Sequence, residues 1–187
     1  MGLSGGRLVV CRRANVEVPL PRIQNAIIHC SDSLWGCARE IRRWHLEKGW
    51  SDIGYHFAIL NGLPTFSHMK NAHRIEALDG AIECGRFLDD DSFLSDLEIG
   101  SHALGYNAHS IGICLIGVNE FSTKQYDALL RLLDDLTVVY HIPIDNVIGH
   151  AETKSGAEQG KTCPNLDMAK LRRDLVAWKK LNNGGNQ

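Results

Sequence analysis

No stretch of this sequence stays apolar for the roughly twenty residues that a bilayer-spanning helix needs, which excludes a helical membrane protein. No apolar run follows Arg7 at a length fit for a secretory signal. Gly6 stands where a myristoylation signal beginning at Gly2 needs serine or threonine. The expectation is a chain without a membrane anchor, made in the cytoplasm and kept there until something else releases it. Charge of one sign is also scarce: the formal net charge is -2, so there is no basic field to favour a nucleic-acid partner. Internal repeats, low-complexity linkers and a composition break are missing as well. A length of 187 residues then reads as one domain with a substantial core.

Cysteine is not scarce. Cys11, Cys30, Cys37, Cys84, Cys114 and Cys163 could form three bridges by count. A chain that can build its own core and shows no secretion signal has little call for them, so most read as reduced, small, buried hydrophobes. Cys163, in Lys161-Thr162-Cys163-Pro164, has neighbours that point elsewhere.

Apolar runs at Ile23 to Cys30, Tyr55 to Leu60, Ala81 to Gly85, Ser110 to Gly117 and Asn146 to Gly149 predict strands. The fourth is apolar nearly throughout, as a central strand covered on both faces should be. Ala38 to Lys48 predicts a helix stopped by Gly49, with Ile41, Trp44 and Lys48 on one side. A longer helix is expected from about Thr123 to His141, with Leu129, Leu132, Leu133, Leu136 and Val139 on one face and Pro143 beyond it. A last amphipathic helix carries Met168, Leu171, Leu175 and Trp178. Leu63 to Leu78 reads as an insertion and 86–107 as loop. Strands alternating with helices imply a single α/β domain, with a central mixed β-sheet flanked by α-helices. Residues 1–22 read as an N-terminal arm, 23–181 as the working domain and 182–187 as a flexible tail.

His29 and His150 each fall where a predicted strand ends, which is where an α/β sheet presents its site, and Cys163 follows close behind. Two imidazoles and a thiolate suit zinc and leave a fourth position open. Taken alone, the pattern stops at a candidate catalytic zinc site. Nine histidines are present, and 150 to 163 is not a zinc-finger spacing.

Six separated stretches go further: IIHCSDS (27–33), AREIRRWHLEKGWSDIGYHF (38–57), ECGR (83–86), GSHALGYNAHSIGICLIG (100–117), GHAE (149–152) and KTCPN (161–165). In this order the chain resembles the zinc-dependent N-acetylmuramoyl-L-alanine amidases, the type 2 family that includes the peptidoglycan recognition proteins, and within it the phage lysozymes of the T-seven type. The resemblance implies zinc held by His29, His150 and Cys163, catalytic roles for Tyr55 and Lys161, and a substrate-groove position for His102. It also implies peptidoglycan as substrate. A viral RNA polymerase enters as a second partner through the N-terminal segment, which aligns poorly here. Relative to the phage lysozymes the chain carries extra residues near 61–78 and 87–99 and a longer loop between His150 and Cys163.

Each assignment has a plainer counterpart. Tyr55 could serve only in the core, Lys161 could be a solvated loop lysine, and His102 could be structural or stand behind a ligand. Trp44 and Trp50 read as core residues rather than sugar platforms. His45, His56, His68, His73, His109 and His141 receive no role. Cys30 alternates with His29 along a strand and is expected to pack on the opposite face. At the level of function, a phage endolysin waiting in the host cytoplasm for a separate pore leads. A recycling amidase for soluble muropeptides, a zinc-free binding module and a polymerase regulator stand beside it. Binding modules of this fold usually lose the cysteine ligand, and Cys163 is present.

Overall fold

Five strands make one sheet in the order β3-β2-β4-β1-β5. They are β1 Asn25–Cys30, β2 Phe57–Asn61, β3 Asp79–Cys84, β4 Ser110–Leu115 and β5 Val147–Gly149. β1 lies parallel to β4 and β5, β2 lies parallel to β4, and β3 is antiparallel to β2, giving the mixed sheet expected. This computed structural model describes residues 22–183. The N-terminal arm, with its polymerase reading, and Cys11 therefore lie outside the described residues, Arg22 apart.

The sequence of β4 explains its central place. All six of its residues are buried, and a strand with no polar side chain wider than serine and cysteine can be covered on both faces. Ile111, Ile113 and Leu115 face α3 (Thr123–Val139) and α5 (Met168–Asn183), in a core with Ile28, Ile59, Leu129, Leu133, Leu171 and Leu175. Cys114 and Ile116 face the other way, towards α1 (Ala38–Glu47), with Ala58, Leu60 and Ile41. Burial of each Leu or Ile contributes on the order of 2 kcal/mol, so these two layers dominate the stability.

Local signals set the helix ends. Ser122 and Gln125 form a reciprocal capping box at the start of α3, worth about 1 kcal/mol. The same Gln125 amide donates to the carbonyls of Ile59 (3.1 Å) and Ile116 (2.9 Å), tying the helix start to the ends of β2 and β4. Gly49, at φ +82°, ends α1 where a side chain would be strained. The buried face of α1 is Ala38, Ile41 and His45; Lys48 is exposed and Trp44 half-buried. The face expected from the sequence is thus rotated by about one residue, because His45 is drawn inward by a hydrogen bond described below. The insertion between β2 and β3 holds a short helix, α2 (Phe66–Lys70). The longer loop after β5 holds another, α4 (Lys154–Glu158). Among the described residues no helix is long and apolar enough to cross a membrane.

Candidate active site

His29 is the penultimate residue of β1 and pairs in register with Cys114, so it shares the α1 face of the sheet. α1 covers Cys114 and Ala58 on that face, and the uncovered remainder carries His29. The ring is 1% exposed, with its Nδ1 3.9 Å from Cys163 Sγ and its Nε2 3.1 Å from His102 Nδ1. Burial first, then His102 and His150, hold the imidazole well below its ordinary pKa, so it is neutral and able to ligate.

His150 follows directly on β5 and opens a tight turn, His150–Glu152. Glu152 fixes that turn by accepting the Gly149 N–H at 2.9 Å, the reciprocal spacing of a helix cap. Arg172, from α5, clamps the same carboxylate through two bonds of 2.9 Å and also donates to the Val147 carbonyl at 3.0 Å. The Arg172 guanidinium is the main cause of the Glu152 carboxyl lying below its usual range. Thr153, which caps α4, donates to the His150 carbonyl at 2.8 Å, so the longer loop supports His150 from behind.

Cys163 sits beside β1, past the point where β5 stops. Its Sγ accepts the Cys30 N–H at 3.2 Å, and its carbonyl accepts the Ala151 N–H at 2.8 Å. Glycine at 149 permits this: a Cβ there would stand 2.7 Å from Pro164 Cδ and push the segment off the strand. The neighbouring Cys30 thiol, then burial, push the Cys163 thiol up. A coordinating cation reverses that, since a thiol on a metal is deprotonated outright.

One candidate ligand atom from each of His29, His150 and Cys163 lies within 4.8 Å of the others. In a tetrahedral zinc site, bond lengths near 2.0 and 2.3 Å put nitrogen and sulfur about 3.5 Å apart, close to the 3.9 Å seen between His29 and Cys163. The donor set and its spacing fit zinc. These residues form the floor of a cleft of about 390 Å³, also lined by Asp32, Lys48, Tyr55 and Lys161.

Tyr55 precedes β2, although its carbonyl still takes the Arg86 N–H at 2.8 Å. Its ring centroid is 5.0 Å from that of His29. Burial, then the thiols of Cys114, Cys163 and Cys30, push its hydroxyl well above the ordinary tyrosine pKa, which keeps it a proton-bearing donor. Lys161 is exposed at the cleft and near enough to His150 for its charge to add to burial in lowering that imidazole's pKa.

Two further histidines hold the Tyr55 segment. His45 Nδ1 accepts the Gly54 N–H at 2.9 Å, and His56 Nδ1 accepts the Gly112 N–H at 2.9 Å while its Nε2 donates to the Glu98 carbonyl at 2.8 Å. Burial leads in drawing both down to about 4: Lys48 and Arg86 add to it at His45, and Arg86 adds to it at His56 against the Glu98 hydrogen bond. The unfolded chain protonates a histidine near its ordinary value of 6.5, well before the fold does. Their contribution is therefore full above pH 6.5 and lost as the pH falls towards 4. The buried His56 alone accounts for about 1.4 kcal/mol per pH unit, or about 3 kcal/mol across the window. Urea unfolding of metal-free protein at pH 7.5 and 4.5 should show that loss, and equal stabilities would contradict it.

The model of one protein family, N-acetylmuramoyl-L-alanine amidase, matches residues 20–166. The chain belongs to this family. Among the amidase's relatives is the endolysin of Escherichia phage T7, 32% identical over 148 residues that cover 75% of this chain and 80% of the endolysin. An endolysin amidase from Clostridium intestinale, LysCS, superposes with a TM-score of 0.62 at 25% identity, covering 84% and 88% of the two chains. Drosophila peptidoglycan recognition protein LB does so with a TM-score of 0.56 at 27% identity, covering 85% and 82%. Family and endolysin likeness together make this an amidase that hydrolyses the bond between N-acetylmuramic acid and L-alanine in peptidoglycan.

The fold thus brings His29, His150, Cys163, Tyr55 and Lys161 of the amidase to one cleft. His102 is placed differently. The ring is 8% exposed and lies against His29, outside the residues lining the cleft. Cys30 is buried, as a packing residue should be, yet it also borders the cleft, and its thiol is drawn down to about 7, chiefly by Cys163. Cys30 still alternates with His29, pairing in register with Leu115, and it reaches the cleft edge because β5 has ended and Cys163 takes the vacant side, where its Sγ accepts the Cys30 N–H. Cys37 and Cys114 are buried as expected, while Cys84 is exposed on the edge strand β3. Trp50 is 39% exposed and stacks on His45 rather than joining the core. Glu152 was visible in the GHAE motif without a role; its spacing from Gly149 was the signal for a turn cap. Arg172 gave no signal in the sequence, because its target lies 20 residues away.

Proposed function

We propose that His29, His150 and Cys163 hold one zinc ion, and that Tyr55 and Lys161 serve the hydrolysis of the muramoyl-alanine amide. The observation that carries this is the meeting of three ligating atoms within 4.8 Å on the floor of a cleft that Tyr55 and Lys161 also line. Zinc bound there would supply Lewis-acid polarisation of the scissile carbonyl and activation of a water. The chain's own groups do the rest. The Tyr55 hydroxyl, kept protonated by burial, donates a hydrogen bond to the carbonyl oxygen as negative charge develops on it. The Lys161 ammonium meets the same charge electrostatically. The buried His29 and the half-buried Tyr55 ring keep bulk water from that side of the oxygen. Residues 23–181 make the catalytic domain.

In this reading the amidase is an endolysin, made in the host cytoplasm and reaching the wall when a separate pore opens the inner membrane. Digestion of purified Gram-negative sacculi followed by mass spectrometry tests it. The expected products are stem peptides with free L-alanine amino termini and glycan strands stripped of peptide. Intact sacculi, with cleavage of soluble anhydro-muropeptides alone, would replace the endolysin by a recycling enzyme.

A further inference from the structure

His102 is buried against a metal-ligand candidate and is given no contact with the cleft, yet the fold goes to some length to seat it. Its ring lies on β4 at Gly112, where a Cβ would stand 2.7 Å from its Cγ and Cδ2. Gly100 makes the same allowance from the other side, at 2.7 Å from Cδ2. The backbone is fixed too: the N–H groups of His102 and Ala103 both donate to Asn107 Oδ1 at 2.8 Å. A side chain held this firmly presents a chosen ring edge to its neighbour.

The hydrogen-bond network says which edge bears the proton. Ser110 donates its hydroxyl hydrogen to the Tyr106 carbonyl at 2.7 Å. Its oxygen is then left as an acceptor facing His102 Nε2 at 3.5 Å, a long contact that favours a proton on that nitrogen. With the proton on Nε2, His102 Nδ1 is a bare acceptor, and its partner at 3.1 Å, His29 Nε2, is then the donor. A neutral His29 with its proton on Nε2 has its lone pair on Nδ1, the atom that faces Cys163.

We infer that His102 is a positioning residue that fixes His29 in the Nε2–H tautomer and aims its Nδ1 lone pair into the ligand cluster. The role rests on the zinc reading above and adds to it the part that prepares a ligand before metal arrives. The partner that a metal-bound histidine usually finds in a carboxylate or carbonyl is here a second imidazole. A neutral imidazole adds no negative charge, so a Cys163 thiolate bound to zinc would be the only anion among these groups.

Two measurements on the full chain decide it. Long-range proton–nitrogen NMR of metal-free wild-type protein should show His29 protonated on Nε2. Competition with a chromophoric chelator should show zinc binding weakened about 10- to 100-fold in His102→Ala. In His102→Asn the side-chain oxygen can stand near the former Nδ1, and binding should recover to within about threefold of wild type if the acceptor is what matters. A His29 proton on Nδ1, or His102→Ala with wild-type affinity, overturns the inference while leaving the zinc site intact. Wild-type protein that takes up no zinc overturns the metal reading and this inference together. If His102→Ala does not fold, the wild-type tautomer and the recovery in His102→Asn carry the decision.

Discussion

Cys163→Ala should leave the amidase folded, nearly free of zinc and without measurable activity. The side chain is half-buried at the end of a segment anchored by its own backbone, through the Cys163 carbonyl and the Ala151 N–H, so losing a sulfur removes little of the core. What it does remove is the one thiolate among three ligands. Two neutral imidazoles remain, and a site without its anionic ligand holds a divalent cation far more weakly. Zinc content should fall from about one per chain to under about a tenth, and hydrolysis by at least about a hundredfold. Cys30 is the nearest possible substitute, since its thiol borders the same cleft. The Cys30→Ala/Cys163→Ala double variant closes that route, and Cys30→Ala alone should keep its zinc. Chelation of wild-type protein should abolish activity, and added zinc should restore it. Metal analysis beside an amidase assay is decisive: a metal-free Cys163→Ala protein that still hydrolyses sacculi would rule out the metal mechanism.

Lys161→Ala separates holding the metal from doing the chemistry. A protonated ammonium cannot ligate zinc, and Lys161 stands at the rim of the cleft two residues from Cys163. Its influence on His150 is that of a nearby positive charge. An interaction made mainly with charge that develops in the transition state appears in kcat and hardly in substrate affinity. Loss of one such group typically costs about a hundredfold to a thousandfold in kcat, or about 3 to 4 kcal/mol. The variant should keep one zinc per chain, a wild-type circular dichroism spectrum and a KM within about threefold, with most of its turnover gone. Its backbone N–H, bonded to the Gly156 carbonyl at 2.9 Å, is unaffected by the change, so the loop should stay in place. Near-normal turnover with zinc bound would make the lysine a bystander.

The sequence by itself determined the layers and the candidate ligands. Apolar runs of strand length and a leucine-lined helix with a capping box can be read locally, because burial and caps act over a few residues. β4 and α3 were therefore legible nearly to their ends. His29, His150 and Cys163 were legible too, since each lies in a short motif whose neighbours set its place at a strand end or turn. The tertiary structure alone decided what those candidate ligands touch. The seating of His102 against His29 depends on glycines 100 and 112, whose bare Cα atoms leave room for its ring, and on a β1 residue 73 positions away, which no local pattern announces. Cys30 borders the cleft because β5 stops at Gly149 and the segment at residue 163 fills its place, and no alternation rule along β1 carries that information. His45 and Arg172 act on residues 9 and 20 positions away through single hydrogen-bonded contacts. Pattern reads which face is buried; only the packed chain fixes which polar atom meets which, because that depends on register and distance between segments that the sequence lists apart.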